Sequence, residues 1–445
     1  MRDLTETKIP LTIRQLTYGN FVGLFSIYLL SLVDTFFLSL KSEVDLAASV
    51  FANPFVFIIL TLFSGIAGAK VIFLSKMYKK NKNNLIYYSN YINKIMFSIC
   101  LITMIILYFS IPTLLDLSGV SLELREKAIW YSKWHYIGMP LCFASMLMVN
   151  FLRGKGNSKY AGHTMFISAF FNIILDPIFI FYFNLGTEGA AIATMFSWVF
   201  SFIYIYYIVY IKYNYTFKAK KLDISKYIKL LPAITMNQLV TPLTTLITVL
   251  FINQYSTEFM AGYGVAFRLE KFIIIFAFAI GTSIIMFSGQ NVNNLKRKNE
   301  ALLYSFKLIS GLFFIFVTLL NIFVEDLGML FKLEGESLNT AVLFIRILSG
   351  ALIIQCIYSI YSSYLTVMDK HNFVFYINFI KGVVLLPICL FLGDYYYQEI
   401  GLFFGLLIHY ILSFIMLVSF SNKYFLAIFN KKYYNLLNLK GNQYE

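Results

Sequence analysis

Long apolar stretches follow one another along almost the whole chain, separated by short polar breaks, and this pattern constrains the fold more than any single residue. A helix that crosses a bilayer needs about 20 mostly apolar residues. Twelve stretches meet that length, at about 14–40, 46–74, 91–115, 127–152, 160–183, 187–212, 226–254, 258–289, 300–325, 338–366, 371–393 and 397–422. Several exceed the minimum, which predicts tilt or extension past the membrane. No gap is long enough to hold a soluble domain. The expected fold class is an all-α polytopic membrane protein with twelve transmembrane helices.

Charged residues make up 13% of the 445 residues, about half the usual share. Lys and Arg still outnumber Asp and Glu by 36 to 22, for a net charge of +14. A nucleic-acid binder would spread such charge over a wetted face. Here it is confined to the breaks, so the expected partner is the lipid bilayer and not a nucleic acid. Cys100, Cys142, Cys356 and Cys389 lie inside apolar stretches without Cys-x-x-Cys spacing. They read as small apolar fillers rather than disulfides or metal ligands. The apolar stretch after the polar N-terminus is too long for a signal peptide, so no cleavage is expected.

The breaks alternate in charge. One set is basic, with Lys76, Lys79, Lys80 and Lys82 after the second stretch, Arg153, Lys155 and Lys159 after the fourth, and Lys212, Lys218, Lys220 and Lys221 after the sixth. Lys296, Arg297 and Lys298 follow the eighth. The other set is mainly acidic, with Glu43, Asp45, Asp116, Glu123, Glu188, Glu258, Glu325, Asp326, Asp394 and Glu399 among its members. By the positive-inside rule both termini are expected in the cytoplasm, in a multi-pass protein of the plasma (inner) membrane.

A long-period repeat runs beneath this pattern. An offset of 213 sets Gly19 against Pro232, Ala48 against Ala261 and Gly68 against Gly281. With small slips, Pro177 meets Pro387, Phe181 meets Phe391 and Gly189 meets Gly401. Two six-helix halves follow, and six is even, so they are parallel repeats of the kind found in secondary transporters. The expected layout is an N-terminal lobe over 1–212, a linker over 213–225, a C-terminal lobe over 226–425 and a tail over 426–445.

Charges inside a span are functional candidates by default. Asp34 in the first span and Asp176 in the fifth lie at similar depth, roughly 10–12 Å below the outer surface at 1.5 Å per residue. Asn172 lies one helical turn before Asp176 and shares its face, and Thr194 of the sixth span reaches a similar depth. The repeat acts as a control: the equivalent positions are Ile247, Gly382, Leu386 and Leu406, so the scaffold does not need polar groups there. Two neighbouring buried carboxyls call for a proton between them, and hard oxygen ligands suit Na+ equally; the sequence leaves both open. Gln238, Arg268, Lys271, Arg346 and Lys381 are candidates for lining a cavity in the second half, whereas Lys70, Lys94 and Lys133 are placed to snorkel. Glu270 is expected near the outside and Lys271 deeper.

At these residues the chain resembles the multidrug and toxic compound extrusion (MATE) family. The resembling stretches include Leu32-Val33-Asp34-Thr35-Phe36-Phe37, Leu152-Arg153-Gly154-Lys155-Gly156-Asn157, Asn172-Ile173-Ile174-Leu175-Asp176-Pro177-Ile178 and Gly189-Ala190-Ala191-Ile192-Ala193-Thr194. In the second half Ala261-Gly262-Tyr263-Gly264-Val265-Ala266-Phe267-Arg268 and Gly289-Gln290-Asn291 are similar. The resemblance covers nearly the whole chain and is greatest to the DinF-like branch. It implies alternating-access export of amphipathic or cationic organic compounds, multidrug efflux, in exchange for H+ or Na+, with Asp34, Asn172, Asp176 and Thr194 as the cation or proton site. It implies a monomer without a cofactor, taking small-molecule substrates. One departure is Gly19 where the family usually has proline, so flexing of the first helix rests on Gly19 and Gly23.

The nearest alternative is a lipid-linked precursor flippase of the same superfamily, for which Arg268, Lys271, Arg346 and Lys381 would supply a basic cavity. An enzyme is not expected: His135, His163, His371 and His409 are dispersed, with no metal-ligand spacing.

Overall fold

The computed structural model describes residues 4–80, 84–118, 122–213, 215–216, 218–252, 254–331, 333–422 and 425–426. The tail over 426–445 therefore lies almost wholly outside the described residues. Helices and connecting turns account for all of them, with no strand among the described residues. In order these are α1 (Ile9–Lys41), α2 (Glu43–Lys80), α3 (Leu85–Leu117), α4 (Leu122–Gly154), α5 (Lys159–Pro177) and α6 (Gly186–Tyr206). They continue as α7 (Ser225–Ile252), α8 (Thr257–Gln290), α9 (Leu295–Leu330), α10 (Gly335–Leu365), α11 (His371–Phe379) and α12 (Leu386–Phe420). π-helical turns extend α5 over Ile178–Tyr182, α6 over Tyr207–Lys212 and α11 over Ile380–Leu385.

Among the described residues nine separate stretches are long and apolar enough to cross a membrane, and a tenth, Gly335–Phe420, holds three more spans because the chain reverses twice inside it. The first reversal is at Asp369, φ 61°, and the second at Gln398, φ 50°. Antiparallel pairing shows both. Tyr358 meets Asn378 and Lys381 meets Gln355 across the first, and Gly393 packs on Gly401 across the second. The expected twelve spans are present. Their ends differ from the apolar windows: the eleventh runs to the break at Gln398, and α3 starts at Leu85, not near 91. Hydropathy marks where hydrocarbon begins, whereas helical hydrogen bonding continues through the polar residues beyond it.

The chain forms two compact units, one over Tyr18–Gln238 and the other over Leu4–Thr17 with the residues from Leu239 onward. The divisions fall inside α1 and α7 and not at the linker 213–225. Hydrogen bonds within each unit give the reason. In the second unit Leu4 N–H donates to Gln290 Oε1 at 3.1 Å, Thr17 Oγ1 to Ser283 Oγ at 3.3 Å, and Arg297 to the Thr7 carbonyl at 2.7 Å. In the first, Tyr227 at the start of α7 donates to the Ile66 carbonyl at 3.0 Å.

In the first unit α2, α3 and α6 pack on α4, and α5 packs on α6. Asp45 joins the starts of α2, α4 and α6 at one end. It accepts from Lys127 Nζ at 2.7 Å, from the Thr187 backbone N–H at 2.9 Å and from Thr187 Oγ1 at 2.7 Å. The sequence groups Asp45 with loop acids, but it is only 3% exposed. At the opposite end Lys155 after α4 donates to Tyr215 at 2.7 Å, and Asn90 of α3 donates to the linker carbonyl of Thr216 at 2.7 Å. In the second unit α8 and α12 pack on α10 around stacked and edge-on rings of Phe259, Phe344 and Phe403.

Candidate ion site in the first unit

The local course of α5 explains how a carboxyl comes to be presented here. Pro177 lacks the N–H that would close the helical bond to residue 173, and the helix widens at once into the π turn Ile178–Tyr182. Such widenings recur at functional positions in helices. Asp176, immediately before it, is fully buried, as is Asn172 one turn earlier.

Asn172 holds the site together. Its Nδ2 donates to Asp176 Oδ1 at 3.2 Å and to Thr194 Oγ1 of α6 at 3.3 Å. Behind Thr194 the chain of hydroxyls continues, Ser197 donating to the Thr194 carbonyl at 2.7 Å and lying 3.2 Å from Ser168. Asp34 of α1 comes within side-chain hydrogen-bonding reach of Asp176. The four residues singled out in the sequence are therefore brought together from three helices.

Three oxygens in this group, Asp34 Oδ1, Asp176 Oδ2 and Asn172 Oδ1, are buried and meet no donor. Two ionised carboxylates cannot hydrogen-bond to each other, and an unpaired buried acceptor costs about 1–3 kcal/mol. A proton shared by the two carboxyls, or a cation among the oxygens, satisfies this arrangement. Among the described residues no group of three or more His, Cys, Asp or Glu has the spacing to hold a metal ion, so a Na+ here would draw on the amide and hydroxyl oxygens as well.

Sequence reasoning missed Tyr131, which is buried in α4 close to both carboxyls. Its ring lies 4.4 Å from that of His135, whose Nδ1 is 2.8 Å from the Tyr131 carbonyl. A tyrosine in an apolar stretch carries no signal that sets it apart from the other 32. The role of Gly19 also becomes legible. A Cβ there would come 2.9 Å from the Ser158 carbonyl oxygen, so glycine lets α1 approach the start of α5.

The cavity candidates of the second half are scattered. Arg346 pairs with Glu325 at 2.9 Å, both more than half exposed. Gln238, Arg268 and Lys271 are exposed, and Lys271 lies over the Phe267 ring at 4.2 Å. Only Lys381 is buried, donating to Gln355 Oε1 at 2.8 Å. Glu270, expected near the outside, is 1% exposed and accepts from the Tyr410 hydroxyl at 2.6 Å. Helix phase explains the inversion: adjacent residues on a helix point in different directions, so Glu270 turns inward where Lys271 turns out. Lys70 does not snorkel either, being fully buried.

The MatE family model matches residues 21–178 and again 232–391, so the repeat read from sparse identities coincides with two copies of one family unit. A FAD transporter of Shewanella oneidensis is 29% identical over 422 residues, 88% of this chain and 90% of that protein. The multidrug export protein MepA of Staphylococcus aureus is 25% identical over 309 residues, 67% of each. Among solved structures, the Vibrio cholerae MATE transporter VcmN in its bent form superposes with a TM-score of 0.84 at 22% identity, covering 94% of this chain and 98% of that one. An outward-facing multidrug resistance MATE transporter of the MOP superfamily gives 0.86 at 20% identity, covering 96% and 98%. These likenesses speak for the fold of two six-helix lobes. With the family pattern matched in both halves and over most of its length, the chain belongs to the MATE family of membrane transporters and is not an enzyme.

Proposed function

We propose that the chain is a secondary antiporter that exports amphipathic, often cationic, organic molecules in exchange for inward H+, with the ion held at Asp34, Asn172, Asp176 and Thr194. The observation that carries this reading is the close approach of the Asp34 and Asp176 carboxyls, with Asp34 Oδ1 and Asp176 Oδ2 buried and lacking donors. Na+ is the alternative ion, and no cofactor enters the cycle. Coupling requires the ion to bind one conformation better than the other, since a ligand shifts an equilibrium only by its differential affinity. The protein then acts as a monomer of the DinF-like branch in the plasma membrane, with both termini cytoplasmic, as the basic breaks predict.

The test is efflux of a cationic dye from proteoliposomes under ΔpH and ΔNa+ imposed separately. Export driven by ΔpH alone, and abolished in both Asp34→Asn and Asp176→Asn, is the expected result. Undiminished gradient-driven efflux in either variant overturns the assignment, and export driven only by ΔNa+ moves it to sodium.

A second cargo is favoured by the near full-length similarity to the Shewanella protein named a FAD transporter. That cargo is a dianion, and Lys381, the buried cation among the second-half candidates, is the residue to receive it. FAD efflux measured beside dye efflux in the same vesicles separates the two.

A further inference from the structure

A cavity of about 420 Å³ lies in the first unit, between α3 and α6, with α4 as its floor and the linker residue Ala219 at its rim. Its volume is within the range of small-molecule sites, about 300–1,000 Å³. It sits at the end of the unit that carries the Lys-rich breaks, remote from Asp34 and Asp176. Phe97 and Leu147 are among the apolar residues that line it, and Asn90, Asn93 and Lys94 are the polar ones on α3.

The wall of this cavity conceals a charge. Lys70 of α2 is fully buried, and its ammonium donates to Asn93 Oδ1 at 2.5 Å and to the Leu147 carbonyl at 2.8 Å. Both acceptors belong to cavity-lining residues, and both are neutral. No carboxylate pairs with Lys70 among the described residues. A buried charge without a counter-ion costs several kcal/mol. The second ammonium, Lys94, is exposed at the cavity itself. Lys94 thus stands at a space whose other walls are apolar, with a second lysine buried behind Asn93 and Leu147. An exposed ammonium beside apolar walls is the chemistry that receives an anionic headgroup attached to hydrocarbon.

The roof adds a third observation. Asn90 Nδ2 donates to the linker carbonyls of Thr216 at 2.7 Å and Lys218 at 3.2 Å, and Asn90 Oδ1 accepts from the Tyr210 hydroxyl at 3.1 Å. Lys220 lies over the Tyr87 ring at 4.5 Å. The basic linker is therefore laid along the mouth of the cavity, where a bound anion would hold it.

We propose that this cavity is a binding site for an anionic phospholipid, its phosphate received by Lys94 with Lys70 behind the wall and its chains lying against α3 and α6, and that occupancy fastens the linker to the first unit. Anionic lipid is attracted by about 1 kcal/mol for each nearby basic side chain.

Purified full-length protein in neutral detergent would be titrated with dioctanoyl phosphatidylglycerol, dioctanoyl phosphatidylcholine and inorganic phosphate. The readouts are thermal unfolding and the rate of tryptic cleavage at Lys218, Lys220 and Lys221. Saturable stabilisation and slower cleavage with phosphatidylglycerol alone are expected, with Lys94→Gln weakening that response about fivefold and Lys70→Met removing the preference for the anionic lipid. Equal responses to the two lipids, or an unchanged response in Lys94→Gln, overturn the proposal. Phosphate reproducing the effect also overturns it, by reducing the site to one for a small anion. Lys94 is exposed, so its variant decides the matter even where Lys70→Met does not fold.

Discussion

Gly156 and Asp369 stand 213 residues apart and hold the same left-handed backbone, φ 78° and φ 61°, at the turns after α4 and α10. The spacing is the period of the internal repeat, so the two halves share a reversal as well as a pattern of spans. The left-handed region costs an ordinary L-residue about 1–2 kcal/mol, while glycine, asparagine and aspartate enter it most readily. Gly156→Ala is therefore expected to lower stability by about 1 kcal/mol, and Gly156→Asn by much less. Thermal unfolding of the two variants in one detergent checks the order, and equal stability would remove the backbone explanation.

Asn172 links Asp176 to Thr194 by two hydrogen bonds, at 3.2 Å and 3.3 Å. Neutral bonds contribute about 0.5–1.5 kcal/mol each. Asn172→Ala should shift the half-saturating ion concentration for export about three- to tenfold, and Thr194→Val, which loses a single bond, by less. The maximal rate should be largely kept, because the two carboxyls remain. A variant series with no shift in ion dependence would place Asn172 outside the ion site.

The Asp45 carboxylate is nearly inaccessible yet accepts four bonds, from Ser42, from Lys127 and twice from Thr187. Its removal leaves the Thr187 N–H without its acceptor and Lys127 without its counter-ion, while the Thr187 hydroxyl keeps the Asp45 backbone carbonyl at 2.8 Å. Asp45→Ala should cost about 2–3 kcal/mol. Lys127 is 44% exposed, so Lys127→Met should cost only about 1 kcal/mol. Denaturation midpoints of the two variants give the comparison, and a larger loss for Lys127 would contradict it.

Gly401 faces Gly393 across the hairpin between the eleventh and twelfth spans, and a Cβ on either would meet the other's carbonyl. Gly189 is the counterpart of Gly401 in the first half, where a Cβ would lie 2.6 Å from the Phe179 carbonyl oxygen. Nothing lies within 4 Å of a Cβ at Gly264. Overpacking of this kind costs about 1–3 kcal/mol. Gly401→Ala and Gly189→Ala should both unfold at lower temperature than the parent and Gly264→Ala should not; matched melting curves test this.

The sequence by itself determined what depends on composition along the chain. Apolar length specifies spans, lysine placement specifies alternating breaks, and the 213-residue offset specifies two halves. That Asp34, Asn172, Asp176 and Thr194 come to a common level was legible because rise per residue is constant in a helix. What only the tertiary structure decided is direction around the helix axis and the identity of the neighbour. Glu270 and Lys271 are adjacent in sequence, yet one is buried against Tyr410 and the other exposed. Lys70 and Arg346 are both cations in apolar stretches, yet one is sealed behind Asn93 and the other reaches Glu325. Asp45 reads as a loop acid until Thr187, 142 residues away, closes over it. Hydropathy is a property of one segment, but the burial of a polar group is set by which helices pack against it, and that arises only when the spans assemble.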